Sequence, residues 1–176
     1  MTDKLVIALA QLNPTVGKIG ANLEKLRETR KKAAEEGADL ILTSELYTCG
    51  YPPEDLVRKP QFISSLRSAV KAFASETSDG GPAVLLGTPW VESNRLHNSL
   101  VLIEGGAITT ARHKYDLPNY GVFDEKRVFD PGPMPGPISF KDVRIGVPIC
   151  EDIWTPEVVE CITETGGEII LVPNGS

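Results

Sequence analysis

The sequence predicts an α/β fold with a mixed sheet, and three observations carry that expectation. In the first half, compact apolar runs alternate with segments of helical spacing; three strand-like runs then follow with only short turns between them; and an apolar run at 143–149 leads through a cysteine into a helical segment. Strand–helix alternation implies parallel pairing and tight turns imply antiparallel pairing, so one chain carries both.

Residues 5–12 form an apolar run ending at Asn13-Pro14, the pattern of a strand buried on both faces. After a turn at Val16-Gly17, residues 22–36 are rich in good helix formers. Ile19, Leu23, Leu26 and Ala33 give the apolar stripe and Gly37 is the stop. Residues 38–43 form a second strand, which ends at Ser44-Glu45, and the stretch 46–53, with Cys49, Gly50, Tyr51 and two prolines, has turn chemistry. From 54 the pattern is helical, with Leu56, Phe62, Leu66, Val70 and Phe73 on the apolar face. Pro60 is expected to divide it into a short and a longer helix, and Gly80-Gly81-Pro82 closes the unit.

Strands are expected at 83–91, 96–103 and 107–113, joined by turns at Ser93-Asn94 and Glu104-Gly105-Gly106 that are short enough for antiparallel hairpins. Residues 114–137 make a long loop dense in proline, glycine and aromatic residues, and a loop of that length in a compact domain is characteristic of a functional one. Strands at 138–140 and 143–149, a helix from Thr155-Pro156 to about Thr165, and a buried strand at 168–172 complete the order. With no repeat or linker, residues 1–176 read as one domain.

Of the 176 residues, 41% are hydrophobic and 24% charged, an ordinary globular composition, and the net charge of -6 argues against nucleic acid or an anionic membrane as partner. Cys49, Cys150 and Cys161 are odd in number and lack metal-ligand spacing, so neither a disulfide framework nor a metal site is expected, and a reducing, cytoplasmic setting is. No export signal or membrane-spanning segment is visible.

Three residues occupy equivalent places at strand ends: Glu45, Lys114 and Cys150. Loops diverge at the strand ends of an α/β sheet and ligands bind there, so the three are candidates to converge. A thiol flanked by Glu151 and Asp152 is disfavoured as thiolate by like charge. It therefore needs a base, which Glu45 supplies, while a lysine offers a cation for a developing oxyanion beside the backbone N–H that follows the cysteine. Taken singly, each has a plainer reading, since lone cysteines in apolar runs are mostly inert and charges after strands mostly solvated. His97 and His113 read as structural.

With these residues in place, the chain resembles the nitrilase, or carbon-nitrogen hydrolase, superfamily with its Glu-Lys-Cys triad. More narrowly it is similar to the glutaminase domains of glutamine-dependent NAD+ synthetases. The narrower resemblance rests on Ser44-Glu45-Leu46 with Gly50-Tyr51-Pro52-Pro53-Glu54-Asp55-Leu56, on Lys114 with Leu117-Pro118-Asn119-Tyr120-Gly121-Val122-Phe123-Asp124-Glu125, and on Cys150-Glu151-Asp152-Ile153-Trp154. It implies a nitrilase-like α-β-β-α sandwich, incomplete in this chain, and hydrolysis of glutamine through a thioester on Cys150, supplying ammonia for amidation of nicotinic acid adenine dinucleotide. It also implies Glu125 as a second acid at the site, and Tyr51, Tyr120 and Glu151 around the substrate, with Glu151 facing the substrate ammonium; Asp152 and Trp154 support the turn, and Cys49 and Cys161 are small buried hydrophobes. A substrate-contacting serine falls near Ser176. Cofactors are expected to be none in this segment, with ATP and Mg2+ needed by a synthetase domain absent from these residues; the partners expected are glutamine, that domain and a homo-oligomer. The family domain extends past Ser176, so the chain reads as a truncated segment with one side of the sandwich uncovered. A stand-alone carbon-nitrogen hydrolase and a catalytically inactive assembly module are the rival readings.

Overall fold

The computed structural model describes residues 4–175. β1 (Ile7–Ala10), α1 (Ile19–Glu35) and β2 (Leu40–Thr43) follow the expected alternation. α1 starts ahead of Asn22 because that side chain faces inward: it exchanges hydrogen bonds with the Thr15 backbone and donates to Thr48 O, fastening the loops after β1 and β2 to the helix. Pro60 divides the next segment as expected. A 3-10 helix at Glu54–Arg58 precedes α2 (Pro60–Glu76), with the proline in the first turn, where its missing N–H costs no bond.

β3 (Ala83–Glu92), β4 (Arg95–Glu104) and β5 (Ala107–His113) form two antiparallel hairpins. Both turns carry positive φ at their central residues, 49° and 62° at Ser93-Asn94 and 57° and 87° at Gly105-Gly106, as the twist of tight hairpins demands. β1, β2 and β3 pair in parallel, giving a mixed sheet of order β1-β2-β3-β4-β5. A second sheet contains β6 (Ile138–Phe140), β7 (Val143–Gly146) and β8 (Ile169–Ile170) in that order, and α3 (Pro156–Glu164) precedes β8.

Strand alternation sorts the core into two layers. Ile41, Val84, Leu86, Val101 and Ile103 pack with Leu23, Leu26, Leu66, Val70 and Phe73 of α1 and α2. Their neighbours Leu40, Leu42, Leu85, Leu100 and Leu102 face the other way, onto Ile138, Phe140 and Ile145 of the second sheet. On the far side of that sheet, α3 lays Ile162 over Gly146 and Gly167, where an added Cβ would come within 2.4 and 2.6 Å of the isoleucine. The layers therefore run helix, sheet, sheet, helix, the α-β-β-α sandwich the resemblance implied.

Two strands depart from the expected burial on both faces. In β1, Leu9 is 63% exposed. It shares a face with Ile7, which packs between the sheets, but β1 is the edge strand and Leu9 lines an open cavity of about 170 Å³ shared with Leu42, Val172 and Pro173. β8 is confined to two residues, and its Ile170 is 38% exposed. β7 also stops at Gly146; Val147 and Ile149 continue buried but outside the ladder, which frees the chain to turn at Cys150.

Candidate active site

Glu45 lies just beyond β2, and its position depends on a glycine in the neighbouring strand. An ideal Cβ on Gly87 would fall 2.1 Å from Ser44 O and 2.8 Å from Leu46 N, so only glycine lets the Glu45 backbone lie across β3. Gly87 N–H donates to Thr43 Oγ1 and Gly87 O accepts from Thr48 N, tying both flanks of Glu45 to β3. The glutamate is 1% exposed.

Lys114 follows β5, its N–H donating to Asn98 O and its carbonyl accepting from Gly132. Its fully buried ammonium donates to Glu45 Oε1 at 2.7 Å and Glu125 Oε1 at 2.9 Å. Asn98, at 0% exposure, donates through Nδ2 to Glu45 Oε1 at 2.7 Å and to Glu125 Oε2 at 3.2 Å, and Tyr51 OH donates to Glu125 Oε1 at 3.0 Å. Burial alone would depress the lysine pKa, but the charges and hydrogen bonds of Glu45 and Glu125 outweigh it and hold it above its ordinary value. Burial pushes Glu125 upward, reinforced by the charge of Glu45 and opposed by Lys114 and Asn98.

The two carboxylates are not equivalent. Both oxygens of Glu125 accept hydrogen bonds, whereas Glu45 Oε1 takes two and, among the described residues, Glu45 Oε2 takes none from any N–H or O–H. Glu45 is thus the carboxylate with a lone pair to offer. An ideal Cβ on Gly175 would sit 2.8 Å from that oxygen, and the Gly175 backbone N–H favours the ionised form of the Cys150 thiol.

Cys150 opens a 3-10 helix (Cys150–Trp154) with φ 48°, a left-handed conformation uncommon for a residue with a side chain and characteristic of strained, functional turns. Its N–H donates to Pro173 O and Glu45 N–H donates to Asn174 O, so one segment braces both residues. The thiol is pushed up to about 11 by burial first and by Glu45 second, with Lys114 opposing. The expected deactivation by the acidic neighbours is therefore corrected. Asp152 turns inward instead: it accepts from Ile149 N, Tyr115 N and Asp116 N at 3.0, 3.0 and 2.7 Å, fastening the cysteine turn to the segment after Lys114. Burial still raises that carboxyl, to about 6, against those donors.

At the rim, Tyr120 OH lies 3.0 Å from both oxygens of Glu151, and this bond raises the phenol pKa. Tyr120 is 58% exposed, open to a ligand. Gln11, Asn13, Ser44, Glu45, Tyr51 and Asn174 line a cavity of about 450 Å³ reaching the cluster.

The structure brings Glu45, Lys114, Glu125 and Tyr51 into one bonded network beside Cys150, with Tyr120 and Glu151 at its edge. Asp152 braces the turn as expected. Trp154 does not, being 80% exposed, and Cys161 is only half-buried while Cys49 is buried. Ser176 lies outside the described residues. Sequence reasoning missed Asn98, Gly87 and Gly175. A polar residue within an otherwise apolar strand was the available sign for Asn98, and a glycine interrupting an apolar strand for Gly87. Among the described residues no cluster of His, Cys, Asp and Glu could hold a metal, and no helix is long and apolar enough to cross a membrane.

An α-β-β-α sandwich whose strand ends gather a thiol, a lysine and two carboxylates defines the nitrilase-fold class of hydrolases. The carbon-nitrogen hydrolase family profile matches residues 6–176, and the chain belongs to that family. It is similar to the glutamine-dependent NAD+ synthetase of Rhodobacter capsulatus, 41% identical over 176 residues, all of this chain but 32% of that protein. The solved glutamine-dependent NAD+ synthetase of Acinetobacter baumannii, in complex with ADP, superposes with a TM-score of 0.90 at 34% identity, over 97% of this chain and 32% of that one. An amidase from Nesterenkonia sp. AN1 gives 0.83 at 27% identity over 97% of this chain and 67% of that one; acrylamide has added to its active-site cysteine in a glutamate-to-glutamine mutant. The chain thus spans about a third of the length of the synthetases it matches.

Proposed function

We propose that this chain is the glutamine-hydrolysing part of a glutamine-dependent NAD+ synthetase, with Glu45, Lys114 and Cys150 catalytic and Tyr51, Tyr120, Glu125 and Glu151 arranged around the substrate. The observation that carries the reading is the buried Glu45–Lys114–Glu125 network beside Cys150, in which Glu45 keeps one oxygen without a donor among the described residues. The synthetase relatives and the amidase with its reactive cysteine support the same chemistry.

A thiol held near pH 11 is protonated at neutrality, so attack needs a base in contact rather than a standing thiolate. Glu45 takes the thiol proton as sulfur bonds to the glutamine carboxamide carbon. The oxyanion is met by Lys114 and by the Glu151 N–H. Two Nζ hydrogens of Lys114 are committed to carboxylates among the described residues, which leaves the third for the oxyanion. Collapse expels ammonia, which carries off the proton from Glu45. Glu45 then deprotonates water, hydroxide adds to the thioester, and glutamate departs as the thiol regains its proton. At the rim, Glu151 offers a carboxylate to the substrate ammonium.

In this reading ATP and Mg2+ serve a synthetase part outside these 176 residues, which together with a homo-oligomeric assembly completes the enzyme in the cytoplasm. The test is glutamate release by the full-length protein. Cys150→Ala is expected to reduce it by at least ~10³-fold with ATP-dependent use of free ammonia retained. Undiminished glutamate release would remove Cys150 as nucleophile, and turnover of other small amides but not glutamine would favour a stand-alone hydrolase.

A further inference from the structure

We propose that Asn98 is the positioning residue of this site: its amide locks the Glu45 and Glu125 carboxylates in one arrangement, so that Glu45 alone presents a free oxygen to the thiol. The inference rests on the hydrolytic reading of Glu45 and Cys150 given above. Asn98 is the one described residue bonded to all three residues of the network, to both carboxylates through its side chain and to Lys114 through the backbone. Its backbone carbonyl accepts from Lys114 N at 2.8 Å, and its side chain donates to Glu45 Oε1 and Glu125 Oε2.

Both hydrogens of Nδ2 are therefore in use, and a flipped amide would set its oxygen 2.7 Å from a carboxylate oxygen. The orientation is fixed by the charges, although it leaves Asn98 Oδ1 buried without a donor among the described residues. A buried carbonyl oxygen kept unsatisfied is an uncommon feature, and here it accompanies the function of the nitrogen on the same group. The donor is also neutral. A second cation at this position would neutralise Glu45 and make it a poorer base, whereas an amide orients the carboxylate without adding charge. Saturating Glu45 Oε1 turns Oε2 toward Gly175, which also reaches the thiol. The packing around Asn98 has no other evident use for an amide: its strand neighbours His97 and Ser99 serve the opposite face, with Ser99 Oγ bonded to His113 Nδ1 and His97 Nδ1 to Asp130 O.

Removing the two N–H bonds destabilises the ionised carboxylates, so their proton affinity rises and the base is lost at a higher pH. The test is glutamine hydrolysis by the full-length protein as a function of pH, with Asn98→Leu, which removes both donors, and Asn98→Asp, which keeps the shape and adds an anion. The acidic limb of kcat/KM is expected to move to higher pH by about one unit in Asn98→Leu and further in Asn98→Asp. The plateau kcat should fall about 10- to 100-fold, with KM within about threefold of the parent. A purely structural residue would lower the folded fraction without moving the limb, so an unshifted limb in the folded variants overturns the proposal. If Glu45→Gln and Cys150→Ala leave hydrolysis intact, it is the hydrolytic reading that fails instead. Carboxylate 13C NMR titration of Glu125 still decides Asn98 in that event: an upward shift in the variants supports the lock and an unchanged titration overturns it.

Discussion

The two halves of the site are built on different sheets and by different means. Glu45, Asn98, Lys114 and Glu125 lie at 1, 0, 0 and 4% exposure, carried by the five-stranded sheet or the loop that follows it and cross-bonded through a close backbone approach at Gly87. The cysteine side stands at the end of a three-stranded sheet and is held by loop bonds, from Cys150 N to Pro173 O and from the Tyr115 and Asp116 N–H groups to Asp152. It ends in Trp154, 80% exposed, and in Glu151, which is met by the 58% exposed Tyr120 of the loop after the five-stranded sheet. The difference teaches a division of labour. On the proposed function, charge that must act on a transition state is kept dry and rigid, where each interaction is strongest, and the side that would admit substrate is left solvated and adjustable.

Removing the cation should have the largest effect. Lys114→Met leaves two buried carboxylates without their counter-charge, and breaking a buried pair in this way costs about 3–5 kcal/mol. Equilibrium urea unfolding checks it. A loss below about 1 kcal/mol, the level of a surface ion pair, would mean that the network is less buried in solution than described and would erase the contrast between the halves.

Gly87→Ala comes next. Its methyl would have to displace backbone, not a flexible side chain, because the obstructing atom is Ser44 O at 2.1 Å. Overpacking of this sort costs about 1–3 kcal/mol, and the strain falls on the segment that aims Glu45. Activity should therefore drop more than the folded fraction does, a split visible when kcat is compared with the circular dichroism signal of the same samples.

The sequence made the proposed catalytic trio legible because Glu45, Lys114 and Cys150 each end an apolar run, and a strand end is a place the periodicity marks. The hairpins of β3, β4 and β5 were equally legible, since Ser93-Asn94 and Gly105-Gly106 supply the left-handed residues that their turns need. Asn98 was not, because nothing local says that the loop after β2 will pass across β3 and bring a carboxylate over that position. Leu9 misled for a related reason: an apolar run specifies what the strand would bury, not what stands opposite it. Asp152 looked like a neighbouring charge on the thiol, and only the turn geometry points it at backbone N–H groups instead.

The thiol joins the two halves, and its titration measures how closely they meet. Ionisation of Cys150 creates an anion, and the Glu45 anion opposes it, so part of the upward shift to about 11 belongs to Glu45. Glu45→Gln should therefore lower the thiol pKa, by on the order of one unit, even as hydrolysis is lost. Iodoacetamide alkylation followed from pH 7 upward reads this directly, and the variant should reach its fast phase at lower pH than the parent. A thiol pKa that rises or stays fixed in Glu45→Gln would separate the carboxylate from the sulfur and leave Cys150 without its base.

The smallest effect is expected at the rim, where Tyr120 OH bonds both oxygens of Glu151 in solvent. Tyr120→Phe removes one exposed hydrogen bond and no packing, so stability should change by no more than about 0.5 kcal/mol. If Glu151 faces the substrate ammonium, the phenol helps to orient that carboxylate, and losing it weakens binding in the ground state and the transition state alike. KM should then rise several-fold while kcat stays near the parent value, the signature of lost uniform binding. Initial rates across a glutamine series resolve the two constants. A fall in kcat with KM unchanged would instead move Tyr120 into the reacting centre and put the boundary between the rigid and adjustable halves on the wrong side of Glu151.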